Sequence, residues 1–384
     1  MTTRRRRWAV LLSAALFLLL ALLFVPECDD CYFIYWDFAS WKDFLLVRPI
    51  PQEGVVLGVP SNGRYLGNLL GLILGKLAFS PLWPLRVLIL GGGMLGLTLL
   101  LSRFFQGGPA GGRESFALAL FLVVWAPWGI WQQVYSWSAA WANYLAPTLL
   151  LLPLLLLLRQ GRPDRWPLVL LLSLSIGLFT EHNTAYLVLL SSAMALAGLV
   201  PALRGLLPAP SLRAALLAGS WAGLALSMTN SVFAQVDSGL RGVGLDLARD
   251  NLPVIFTEVL LRPIPLCLTI SLLLLWLVRR QGCPRWRLWA CLLLPLHLYI
   301  GYDRLLVVLK RRDLYREECL WLGLALALLW LILAVEWRGG ADRRELWFSV
   351  ASLLLVTGPM LVVSPVNARM FFSSYLFLCL AASV

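Results

Sequence analysis

Apolar runs recur along this chain at lengths that a bilayer requires and a soluble core does not. A helix needs about 17–25 residues to cross roughly 30 Å of hydrocarbon. Runs near that length lie at 8–25, 84–102, 115–131, 144–158, 166–180, 184–203, 212–229, 263–278, 286–302, 319–336, 345–363 and 371–384. Sixty per cent of the residues are hydrophobic and 14% charged, with a mean hydropathy of +0.80, which excludes a soluble globular class. Backbone groups in hydrocarbon have to bond within their own segment, so spans of this kind are helical. The expected fold is therefore an all-α integral membrane protein of about twelve transmembrane helices, one polytopic domain over residues 1–384. The final run stops after about 14 residues with no polar terminus, leaving room for the chain to continue past Val384.

A net charge of +12 would suit nucleic acid, but the basic residues fall in short clusters between apolar runs, as the positive-inside rule requires. No nucleic-acid partner is expected. Met1–Arg7 carries four arginines, and no small-x-small cleavage site precedes Pro26, so the first run reads as a retained signal anchor with a cytoplasmic amino terminus. The segment 65–79 is apolar but short, glycine-rich, and holds Asn68 and Lys76. If it did cross, every later loop would change side. If it does not, the cytoplasmic segments 1–7, 103–114, 159–165, 204–213, 279–287 and 336–345 hold 18 of the 32 Lys and Arg but only five acidic residues. That asymmetry favours a short interfacial or re-entrant helix inside the extracytoplasmic side of the chain, following a first loop at 26–66.

Under this topology the unusual polar groups share the extracytoplasmic face. Asp29-Asp30 follow the first span, Asn62, Arg64 and Tyr65 close the first loop, and Trp137-Ser138-Ala139-Ala140-Trp141-Ala142-Asn143-Tyr144 lies between the third and fourth spans. Glu181-His182-Asn183 interrupts an apolar hairpin, and Asn367-Ala368-Arg369 lies between the last two spans. Carboxylates beside the bilayer are costly and tend to mark chemistry or an aqueous path. A carboxylate can take a proton from an acceptor hydroxyl, and arginine can bind a phosphate bidentately and stabilise it as it leaves. Each residue also has a plainer use: helix capping for the acidic pair, snorkelling for Arg64 and Arg369, a solvated turn for Glu181, an aromatic belt for the tryptophans. Separate accidents would not put all of them on one side.

Cys28-Asp-Asp-Cys31 could form a disulfide or supply two metal ligands, but no partner pair at zinc spacing exists and the only histidines are His182 and His297. No P-loop, G-x-S-x-G or H-E-x-x-H occurs, so nothing supports an ATPase, a serine hydrolase or a zincin. Gly91-Gly92-Gly93 lies within a span and reads as close helix packing.

The acidic pair followed by Tyr32, the N-G-R-Y-L-G-N stretch at Asn62–Asn68, the A-N-Y-L-x-P element at Ala142–Pro147, Thr180-Glu181 and Arg369 together resemble the GT-C class of membrane glycosyltransferases. The likeness is to bacterial families related to the glucosyltransferases that decorate O-antigen, and it covers most of the chain. The cysteines around Asp29-Asp30 depart from it. The resemblance implies a multi-pass protein of the bacterial inner membrane that moves a sugar from a polyprenyl-phosphate donor to a cell-envelope glycan or lipid acceptor on the outer face. It implies Asp29 or Asp30 as base or metal holder, with Glu181 as the third catalytic candidate. Arg64, Asn62, Tyr65, Asn143, Tyr144, His182 and Arg369 would then contact substrate. No cofactor is required by the pattern, although a divalent cation is compatible with it. The rival classes are a transporter or flippase of lipid-linked glycans, which should line a path at mid-membrane depth with polar groups, and a non-catalytic envelope assembly subunit.

Overall fold

The computed structural model describes residues 3–26, 64–106, 114–229, 242–309, 316–337, 341–364 and 366–382. Helices dominate. They are α1 (Thr3–Leu22), α2 (Tyr65–Ala78), α3 (Trp83–Phe105), α4 (Glu114–Val124), α5 (Trp128–Tyr135), α6 (Ser138–Gln160), α7 (Trp166–Gly177), α8 (Glu181–Ala197) and α9 (Pro210–Met228). After a two-residue strand β1 (Gly242–Val243) come α10 (Leu247–Leu261), α11 (Ile264–Arg280), α12 (Trp286–Val308), α13 (Arg316–Glu336) and α14 (Ala341–Thr357). Strand β2 (Val363–Ser364) pairs antiparallel with β1, and α15 (Phe372–Ala381) ends the described chain.

The protein is a helical membrane protein. By length and composition, five helices among the described residues can cross a bilayer, or seven if each of two bent pairs counts as one span. Each of the twelve predicted runs falls on helix. The shorter ones are built differently from free-standing spans. The ten residues of α15 would reach only about 15 Å at 1.5 Å per residue. Phe372–Leu380 are all buried, so this helix is enclosed by its neighbours and needs no lipid contact.

Close approaches hold the bundle together. In α7 and α9, Ser173 and Gly177 face Gly219 and Gly223, and a Cβ on Gly177 would come 2.8 Å from the Gly223 Cα. Small residues four apart let two helix backbones touch, which is how helices associate where lipid tails compete for every apolar side chain.

Helix directions can be read from the contacts. Arg86 of α3 reaches back to the Phe24 carbonyl after α1, while Gly91 lies against Phe17, so α1 and α3 are antiparallel. The chain therefore leaves α1 and enters α3 at one and the same end of the bundle, and the segment holding α2 changes no side, as the charge asymmetry predicts. Farther along, α3 and α6 run parallel: Arg86 meets Ser138 at one end, and Arg159 donates to the Phe104 carbonyl at the other. The second end also gathers the Arg159–Glu345 and Arg285–Glu336 pairs and is the arginine-rich end of the molecule.

At two places the helices depart from the pattern expected from sequence. The run at 115–131 is not one straight span, because α4 and α5 meet at 77° beside Pro127. Pro127 cannot donate a backbone bond, and the Trp131 indole donates to the Val124 carbonyl (3.0 Å) that the break leaves free. The Trp-rich stretch at 137–144 is not a loop either. From Ser138 it is the first turns of α6, with Ser138 and Trp141 buried.

Candidate functional site

At the end opposite the arginine-rich one, three helix starts converge. Arg64 immediately precedes α2, Glu181 opens α8, and Tyr144 lies in the second turn of α6. The Arg64 Nε and Nη2 both donate to one Glu181 carboxylate oxygen, at 2.9 and 2.7 Å. Its Nη1 approaches the Tyr144 hydroxyl at 3.5 Å, and the guanidinium lies 5.4 Å from that ring's centroid. His182 stacks on Tyr144, with the two ring centroids 5.6 Å apart. The Leu66 amide bonds the Leu178 carbonyl at 3.0 Å, which fixes the start of α2 against the α7–α8 turn. Gly67 brings α2 close to α6, since a Cβ there would lie 2.1 Å from the Asn143 side-chain oxygen.

Burial by itself would lower the Arg64 pKa, but the Glu181 charge and hydrogen bonds, with Tyr144, outweigh it, so the guanidinium stays charged. His182 is pushed the other way, down to about 3, by burial and then by the Arg64 charge. It is a neutral ring at any working pH, with an unpartnered Nε2.

A second group lies about two helical turns along α6 from Tyr144, or roughly 10 Å. The Arg369 guanidinium stacks 4.7 Å from the Trp137 centroid, and its backbone amide donates to the Gln133 side chain at 3.3 Å. No carboxylate among the described residues pairs with Arg369, and its Nε is buried without a partner. Arg262 is nearby: a Cβ on Gly129 would be 3.1 Å from Ala368 and 3.6 Å from the Arg262 Nη1. Arg262 pairs with Glu258 one turn earlier at 2.6 Å.

Unsatisfied polar atoms concentrate here. Of thirteen buried side-chain N or O atoms with no hydrogen-bond partner among the described residues, ten belong to Tyr135–Asn143, Thr180–Asn183 and Asn367–Ser374. They include the indole nitrogens of Trp137 and Trp141, the Oδ1 of Asn143, the Nδ2 of Asn183 and the Ser374 hydroxyl. Buried polar groups are nearly always bonded, and an orphan costs about 1–3 kcal/mol. Ten of them fall in these three short segments, which makes this end the candidate site.

The local backbone is also unusual. π-helical turns are well under 1% of residues in proteins and often mark functional sites. Three occur among the described residues, at Trp131–Tyr135, Trp141–Leu145 and Thr257–Leu261, and they carry Gln133 and Tyr135, Asn143 and Tyr144, and Glu258. On the far side of the last, a partly open apolar cavity of about 390 Å³ runs between α10, α11, α13, α14 and α15, past Phe256, Trp330, Leu353 and Phe377. Gly358 and Leu361, just before β2, are among its lining residues.

Of the residues picked from sequence, Arg64, Tyr144, Glu181, His182 and Asn143 come together, with Arg369 in the adjoining group. Tyr65 turns away, bonding Thr229 at 3.0 Å. Asp29, Asp30 and Asn62 lie outside the described residues, as do Cys28 and Cys31. No cluster of three or more His, Cys, Asp or Glu side chains fit for a metal occurs among the described residues. Sequence reading missed Arg86, buried and bonded to the Ser138 hydroxyl at 2.8 Å, because an arginine three residues into a span looks like its solvated start. It also did not single out Gln133, Ser374 or the Glu258–Arg262 pair, since no motif marks them.

No family model, curated protein or solved structure matches the chain.

Proposed function

We propose that the protein is a GT-C-like membrane glycosyltransferase of about twelve spans. It would move a sugar from a polyprenyl-phosphate donor to a cell-envelope glycan or lipid acceptor at the extracytoplasmic face. The observation that carries this reading is Arg369: a half-buried cation stacked on Trp137, its Nε buried, without a carboxylate among the described residues, beside a layer of orphaned polar atoms. Such a layer suits an anion plus hydroxyl-rich groups, and the apolar cavity beside it suits a long hydrocarbon tail.

In the reaction, an acceptor hydroxyl attacks the sugar anomeric carbon while the bond from that carbon to the phosphate oxygen breaks. The hydroxyl proton goes to a carboxylate, and the lipid phosphate leaves with both electrons of the broken bond. Arg369 stabilises the phosphate as its charge grows. Glu181 is held by Arg64 in an ion pair, with two guanidinium nitrogens donating to one carboxylate oxygen. Its part is to fix Arg64 and the neutral His182 toward the sugar, and the base falls to Asp29 or Asp30. A transporter would need its polar groups at mid-depth, whereas these gather at one end.

The test is release of polyprenyl phosphate from a labelled lipid-linked sugar by purified protein in detergent, where there is no membrane to cross. Asp29→Asn or Asp30→Asn should slow release about 10²–10⁴-fold, the usual worth of general-base catalysis, with expression unchanged. Failure of the wild-type protein across a panel of donors and acceptors would move the assignment to transport.

A further inference from the structure

Four arginines crowd the turn between α11 and α12 at the arginine-rich end: Arg279, Arg280, Arg285 and Arg287. The turn is tight. Gly282 adopts a left-handed backbone at φ 75°, its amide bonds the Arg279 carbonyl at 2.9 Å, and the Cys283 amide bonds the Val278 carbonyl at 3.3 Å. Arg285 has a counter-charge in Glu336 at 3.6 Å, a carboxylate that also accepts the Trp289 indole at 2.7 Å. The other three pair with no carboxylate among the described residues. They rest on indole rings instead: Arg279 and Arg287 lie 5.0 and 5.7 Å from the centroid of the same Trp286, and Arg280 lies 5.3 Å from Trp276. Some other arginines at this end do meet acids, as Arg159 meets Glu345 at 2.5 Å and Arg162 and Arg165 flank Asp164 at 3.8 and 3.6 Å.

Two exposed guanidinium groups brought to one ring repel each other weakly in water, and a shared anion would relieve that repulsion. The surface beneath is apolar. Leu272, Trp276 and Arg280 recur every fourth residue of α11 and so share one face, where Leu272 and Trp276 are about half exposed. Exposed Leu288 and Leu292 on α12 extend the apolar surface. A cluster of four arginines, three without a carboxylate partner among the described residues, at the head of an apolar track matches a ligand with a phosphate at one end and hydrocarbon chains behind it.

We propose that the α11–α12 turn binds an anionic phospholipid of the surrounding bilayer. The phosphate is held among Arg279, Arg280 and Arg287, and the acyl chains lie along Leu272 and Trp276. Basic pockets between membrane helices recognise acidic headgroups in this way. The site is at the opposite end from the Arg64–Glu181 group and does not depend on the transferase reading.

The experiment is native mass spectrometry of the purified full chain with phosphatidylglycerol and phosphatidylcholine of identical acyl chains added together. Phosphatidylglycerol should be retained preferentially. Each arginine near an anionic headgroup is worth about fivefold in affinity, so Arg279→Gln with Arg287→Gln should weaken phosphatidylglycerol binding roughly 25-fold. Arg162→Gln with Arg165→Gln removes equal charge at the same end and should leave it unchanged. Equal retention of the two lipids, or an equal loss in the control, would overturn the proposal. So would displacement of the lipid by millimolar inorganic phosphate, which would mark a site for a free anion. If the double variant does not fold in detergent, Arg280→Gln at the exposed helix end carries the same test, with a fivefold loss expected and no loss overturning it.

Discussion

Two buried regions of this molecule use the same small polar residues to opposite ends. Where α7, α8 and α9 pack, the serines and threonines drawn into the contact are satisfied. Ser173 donates to the Val169 carbonyl, Ser191 and Ser220 bond each other at 2.8 Å, and Thr184 reaches the carbonyls of Gly177 and Thr180. A few residues away, Thr180, His182, Asn183 and Ser374 each keep a buried atom unbonded. Burial is alike in the two sets. The first closes the bundle upon itself. The second, on the function proposed above, keeps its hydrogen-bonding capacity for a substrate.

That contrast breaks most sharply at Arg369. Arg369→Lys keeps the charge but loses the planar fork, so transfer should fall about ten- to hundredfold, the worth of one charged hydrogen bond, while thermal stability in detergent holds. A matching loss of stability would make Arg369 a packing residue. Paired serine variants sharpen it further. Ser220→Ala should lower unfolding free energy by about 0.5–1.5 kcal/mol, the net value of a satisfied bond. Ser374→Ala should leave stability unchanged or raise it, because an unsatisfied group is being removed, yet weaken substrate binding. Calorimetric or urea unfolding of both, beside the transfer assay, decides the point, and equal destabilisation would erase the distinction between the regions.

How much of this could be read from the chain depends on the physics of each feature. The helix positions were legible, since apolar runs are obligatory in lipid. So was the placement of Arg64, Glu181, Tyr144 and His182 at one end, because charge clusters report sidedness. The 77° break at Pro127 was not, for a proline in an apolar run is compatible with a straight, gently kinked span. Trp141 was expected in an aromatic belt, but its own sequence neighbours cannot tell that Gly93 makes room for it. Arg86 and Ser374 were hidden by their apolar surroundings, and no periodicity encodes which neighbour each of them meets.

The last expected effect is on pH. The folded His182 stays neutral because its pKa is lowered to about 3, whereas an unfolded histidine takes a proton near 6.5. Stability should therefore be flat above about pH 6.5 and decline as pH falls below it, by at most about 1.4 kcal/mol per pH unit. Melting curves of wild type and His182→Gln between pH 5 and 8 test this, and a slope that survives the substitution belongs to another group.

The π turn at Trp141–Leu145 has a consequence for how the site could be gained or lost. Such a turn holds one residue more than the α-helix it interrupts. Deleting a single residue such as Ala142 would let the segment close into regular α-helix, and Ser138 and Trp137 would keep their facing because the turn had absorbed the extra residue. The Arg86–Ser138 and Arg369–Trp137 contacts would survive, while the widened turn that carries Asn143 and Tyr144 would be gone. The extra residue thus acts locally, on what the turn itself presents, and leaves the helix on either side in register.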